Sequence, residues 1–109
     1  MTHEELLKEL RALEERLRSA EVQDFFKTKT QPTKDRFVKM RNELSQQIAQ
    51  LGNAELEDIS EKLDDLSDEI EEGIESIGER LDELATTVSV LNGISTVLGL
   101  VGRVIAFIP

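Results

Sequence analysis

The chain has no cysteine, no tryptophan and no tyrosine, and only one histidine in its 109 residues. Without cysteine there is neither a disulfide framework nor thiolate metal chemistry, and the redox compartment leaves no trace in the sequence. Phe25, Phe26, Phe37 and Phe107 are the whole aromatic content. Leu, Ile, Glu, Lys and Arg dominate instead, the composition of long helices rather than sheets. The expected fold class is all-α.

A single histidine also removes most of the common catalytic designs. His3 lacks the second histidine of a zinc-protease helix, and it reads as solvated N-terminal sequence. The acidic pairs Asp64-Asp65, Glu71-Glu72 and Asp82-Glu83 lack the Glu-x-x-His ligands of a di-metal bundle. They fall between apolar positions, as the wet face of a helix does. No serine has a histidine to activate it, and Gly93, Gly99 and Gly102 do not precede the Lys-Ser/Thr pair of a phosphate loop. No catalytic, cofactor or metal residues are expected, and the chain is expected not to be an enzyme.

The N-terminus opens Met1-Thr2-His3-Glu4-Glu5, polar and acidic where a secretory signal needs a basic start and an apolar run, so a cytoplasmic protein is expected. At this length one folding unit is expected. Its parts are a helical hairpin with an acidic coiled-coil-like helix over 1–87 and an apolar C-terminal helix over 88–109.

Thr2 to Glu5 has the form of a capping box that starts a first helix. Leu6, Leu10, Leu13, Leu17 and Ala20 step by three and four along it, and the stripe continues to Val22, Phe25 and Phe26. Pro32 and the hydroxyls of 28–33 predict a turn. A second helix carries Phe37, Met40, Leu44, Ile48 and Leu51 and ends at Gly52, where glycine suits a left-handed residue, with Asn53 as the N-cap of the next helix. The two make an antiparallel hairpin.

The clearest pattern follows. Leu56, Ile59, Leu63, Leu66, Ile70, Ile74, Ile77, Leu81 and Leu84 form an apolar seam that continues in step to Val88 and Leu91. The doubled four-residue step at Leu66, Ile70 and Ile74 reads as a stutter beside Gly73 and Gly78. The seam serves either packing within one chain or a coiled coil between copies. A fold-back near Gly73, Gly78 or Asn92-Gly93 would instead close a four-helix bundle around the C-terminal helix.

Charge is unevenly placed within a net of −10. Between Glu55 and Glu83 fourteen acids face only Lys62 and Arg80, a local −12, whereas residues 27–41 carry a local +5. An acidic helix laid on the basic turn would be steered by that asymmetry, though each exposed pair is worth only about 0–1 kcal/mol. A basic protein is a possible partner. Nucleic acid is not expected, since the acidic stretch repels phosphate.

From Val88 onward Arg103 is the one charged side chain. The segment approaches the ~20 residues that span a bilayer. Ser89, Asn92, Thr96, Gly99, Arg103 and Ala106 recur at helical spacing as a small or polar stripe between apolar flanks. Such a helix can pack against copies of itself in lipid, lie in the headgroup layer, or fill the core of a soluble bundle. The expected function is a non-enzymatic, self-assembling helical protein, a homo-oligomer with a membrane-active or membrane-anchoring C-terminal helix contacting lipid. The alternative is a soluble oligomeric scaffold or interaction module with that helix in its core.

Overall fold

The computed structural model describes residues 2–54, 56–83 and 86–106, with the backbone alone at 56–58. Among these residues there are five helices and no strand: α1 His3–Leu17, α2 Ala20–Lys27, α3 Gln31–Gly52, α4 Leu56–Asp82 and α5 Thr87–Ile105. The protein is an all-α helical bundle.

Local chemistry sets the helix starts. Thr2 Oγ1 accepts a hydrogen bond from the Glu5 N–H at 3.1 Å, the Thr2 half of the anticipated capping box. The first helix does not run on to Phe26. Ser19 takes an extended conformation, ψ 155°, and its hydroxyl accepts from the Val22 N–H, so a new helix is capped where apolar spacing alone predicts continuity. The break rotates the stripe: Ala20 is exposed while Val22 and Phe26 are buried. Phe26 then stacks on Phe37 of α3, centroids 4.0 Å apart and planes 12° from parallel.

α3 starts inside the anticipated turn, with Pro32 in its first turn, where the missing N–H costs nothing. At its other end the expected left-handed glycine is absent. Gly52 is helical, and Asn53 closes the helix at φ −96°, ψ −5° instead of opening the next. Its N–H bonds the Ala49 carbonyl, and the Ala54 N–H bonds that of Leu51.

The long seam is divided between two helices. α4 passes through Gly73 and Gly78 without interruption and ends at Asp82, and α5 restarts at Thr87 under a Thr86 cap, whose hydroxyl accepts from the Ser89 N–H at 3.2 Å. The fold-back therefore falls after Asp82 and before Thr87, at none of the three glycine sites read from the sequence. Asn92 and Gly93 lie inside α5.

α1 and α3 are antiparallel, since His3 at the start of one bonds Leu51 at the end of the other. α4 and α5 are antiparallel too: Arg80 reaches Ser89, and Gly73 faces Val97. Arg16 pairs with Asp82, and Glu9 shares a groove with Glu71, so α1 and α4 run parallel. Each helix of the four packs on two others in the cyclic order α1, α3, α5, α4. Consecutive α3 and α4 thus stand diagonally across a bundle 44 Å long and 22 by 19 Å in section. One continuous apolar cluster fills it, drawn from all five helices, and no charged or polar side chain among the described residues is fully buried.

Candidate interaction surfaces

Every large apolar side chain of α5 between Val90 and Val104 faces inward: Val90, Leu91, Ile94, Val97, Leu98, Leu100, Val101 and Val104 are buried. The opposite face carries the stripe. Asn92, Thr96, Gly99, Arg103 and Ala106 are exposed, and Ser89 is half-buried. Nothing lies within 4 Å of where a Gly99 Cβ would stand, so this glycine makes no close helix contact within the chain. By length and composition Thr87–Ile105 is apolar enough to cross a membrane, yet half of it is buried inside the bundle.

Close approach occurs on the other side of α5. A Cβ on Gly73 would stand 3.0 Å from Val97 Cγ2, and one on Gly93 3.2 Å from Ile77 Cγ1. At these two glycines α4 and α5 nest so closely that an added Cβ would force a neighbouring side chain to shift. The seam is spent on the same contact and on the bundle interior: Ile59, Leu63, Leu66, Ile70, Ile77 and Leu81 are buried, and Ile74 packs partly buried against them. Of the remaining seam positions, the Leu56 side chain and Leu84 lie outside the described residues. So do 107–109 at the end of the tail.

Three polar contacts that tie the bundle together leave little mark in the sequence. His3, rather than being merely solvated, places Nε2 2.6 Å from the Leu51 carbonyl. A ring N–H donated there gives the Leu51 carbonyl a second donor beside the Ala54 N–H and ties the start of α1 to the end of α3. Gln47 of α3 donates to the Leu98 carbonyl of α5 at 2.9 Å, and Arg80 of α4 donates to the Ser89 carbonyl at 2.8 Å. No periodicity signals such contacts, because each joins a side chain to the backbone of a helix distant in sequence or across a turn.

Between α1 and α4 runs a groove floored by Ala12, Leu13, Ile74 and Gly78 and rimmed by Glu9, Glu71, Glu75 and Arg16. Burial raises the Glu9 carboxyl above the ordinary glutamate range, and the negative charges of Glu71 and Glu5 push it the same way. The folded state therefore holds this proton more tightly than the unfolded chain. Its ionisation costs nothing below the unfolded value near ~4.3, and the cost grows as pH rises through the raised value. Glu9→Gln is accordingly expected to raise the urea midpoint at neutral pH, with the gain shrinking on acidification and gone below about pH 4. Equal midpoints at neutral pH would show that Glu9 carries no such cost.

The outer side of α4 is a row of carboxylates. Glu61, Asp65, Asp68, Glu72, Glu75 and Glu79 are all exposed, spaced alternately by four and three residues, opposite the buried Leu63, Leu66, Ile70 and Ile77. The row mirrors the seam half a turn around the helix. Each like-charged neighbour at this spacing destabilises a helix by about 0.2–0.5 kcal/mol, an expense that packing of the inner face offsets.

The basic segment is elsewhere. Lys27 of α2 and Lys34 and Arg41 of α3 border a shallow groove whose wall includes Phe26, Phe37 and Val38. Val38 is 41% exposed, one of two large apolar side chains left in solvent among the described residues, the other being Val88. The Arg41 guanidinium lies over the Phe37 ring, 5.6 Å from its centroid. Among the described residues the acidic helix is not laid on the basic turn as charge alone suggests, because α3 and α4 are diagonal.

The chain matches no known protein family, no curated protein and no solved structure.

Proposed function

We propose that this chain is a non-enzymatic helical interaction module that folds in water, keeps its apolar C-terminal helix as part of its own core, and meets partners through its charged outer faces. The observation that carries the reading is the orientation of α5: its aliphatic residues from Val90 to Val104 face the interior, and Asn92, Thr96, Gly99 and Arg103 face out. A helix kept for lipid would place Leu and Val outward and its small residues against a neighbour. The outer row of α4 gives such a module a dense single-sign surface, suited to steering cationic partners more than to tight binding.

The length and composition of Thr87–Ile105 favour a second reading, in which the bundle opens and α5 enters a bilayer. Flotation of the full chain with vesicles of neutral and of anionic lipid separates the two. Under the first reading the protein stays at the bottom of the gradient with both, with an unchanged helical spectrum. Co-flotation with release of an entrapped dye would replace that reading with the second.

A further inference from the structure

We propose that the α2–α3 groove is the docking site for the outer carboxylate row of α4 on a second copy of this chain. The two surfaces are complementary and are kept apart within one molecule. On one side of the bundle Lys27, Lys34 and Arg41 ring a groove with an aromatic and aliphatic wall, opposed by Asp24. Among the described residues none of these three cations is in an ion pair.

On the diagonal side stands a helix whose outward positions from Glu61 to Glu79 are carboxylates at every helical step. Bringing cations against Asp68, Glu72 and Glu75 relieves the like-charge repulsion along that row. Exposed Val38 in the groove wall adds apolar contact that charge alone does not give.

Because the two surfaces differ and lie on different sides of the molecule, the contact is heterologous. It leaves a free groove at one end of any pair and a free row at the other, so association continues beyond the dimer unless the rotation closes a ring. The net charge of −10 opposes it at long range. At about 0.1 M salt that repulsion is screened beyond ~10 Å while adjacent charges still attract, and at about 1 M salt, with screening near 3 Å, both fade.

The inference rests on the chain folding in water, which flotation tests separately, and it is read without lipid. Sedimentation velocity of the full chain is expected to show a weight-average mass at about 0.1 M salt at least about twofold that at about 1 M. Two variants neutralise one surface each: Lys27→Gln with Lys34→Gln, and Asp68→Asn with Glu72→Gln and Glu75→Gln. These residues are outside the core, and circular dichroism is the check that both variants fold. Each alone is expected to be monomeric. Mixed in equal amounts they form a one-to-one dimer, since one retains a groove and the other a row. A wild-type chain monomeric at both salts overturns the proposal and leaves the groove to an acidic helix of another protein. Self-association that survives in either variant, or a mixture that stays monomeric, also overturns it.

Discussion

A chain ending at Thr86 is expected to lose its cooperative thermal transition and most of its helical signal. Eight large apolar side chains of α5 are buried against the rest of the bundle. At about 1.5–3 kcal/mol each they account for roughly 12–24 kcal/mol of gross burial, against the ~5–15 kcal/mol of net stability that a domain of this size has. The denatured chain already buries part of that surface, which lowers the figure without changing its order. The loss is also two-sided, because the faces of α3 and α4 that cover α5 are uncovered at the same time. Circular dichroism melting and dye binding to exposed apolar surface are the measurements. A truncated chain that melts sharply near the temperature of the full one would mean that α5 is not part of the folded core in water.

The second expectation uses two neighbouring residues. Val97→Lys should destabilise the protein by at least about 3 kcal/mol, whereas Thr96→Lys should fall within about 0.5 kcal/mol of the parent. Val97 is 1% exposed and packs closely against Gly73 of α4, so a lysine there puts its charge into the apolar interior. Thr96 is exposed, and its hydroxyl bonds back to the Asn92 carbonyl within its own helix. Denaturant titration of both variants reads the difference. In a helix surrounded by lipid both lysines lie in mid-span and both are costly, about 2.5–3.5 kcal/mol apiece on insertion scales. Similar penalties for the two would therefore count against the packed arrangement of α5.

Much of the fold was legible because apolar spacing reports which residues share a buried face. The rows Leu6 to Leu17, Phe37 to Leu51 and Ile59 to Leu81 are buried almost as the period implies. What the period does not report is where a helix stops. From Leu81 through Leu84 to Val88 and Leu91 the three-and-four rhythm never falters in the sequence, although Val88 is left in solvent while Leu81 and Leu91 are buried. Only the Thr86 cap marks the break, and threonine is a weak signal among many. Ser19 hides the end of α1 in the same way.

The stripe on α5 posed a different problem. Spacing establishes that Asn92, Thr96, Gly99 and Arg103 share a face, but not whether that face meets water, lipid or another helix. Within one chain the opposite side is covered, by α3 and α4, which leaves the stripe on the outside of the bundle. The outer carboxylate row of α4 was visible as charge density, whereas its unbroken run along one face emerged once the inner face was fixed.

The cyclic order of the helices bears on how this protein is made. α5 completes the core, and it is translated after every helix it packs against. At about 5–20 residues per second, its 19 residues take about one to four seconds to add, and throughout that interval the nascent chain carries uncovered leucines and isoleucines on α3 and α4. The bundle's interior is therefore complete only once the last turn of α5 has been added, the step at which those leucines and isoleucines are covered.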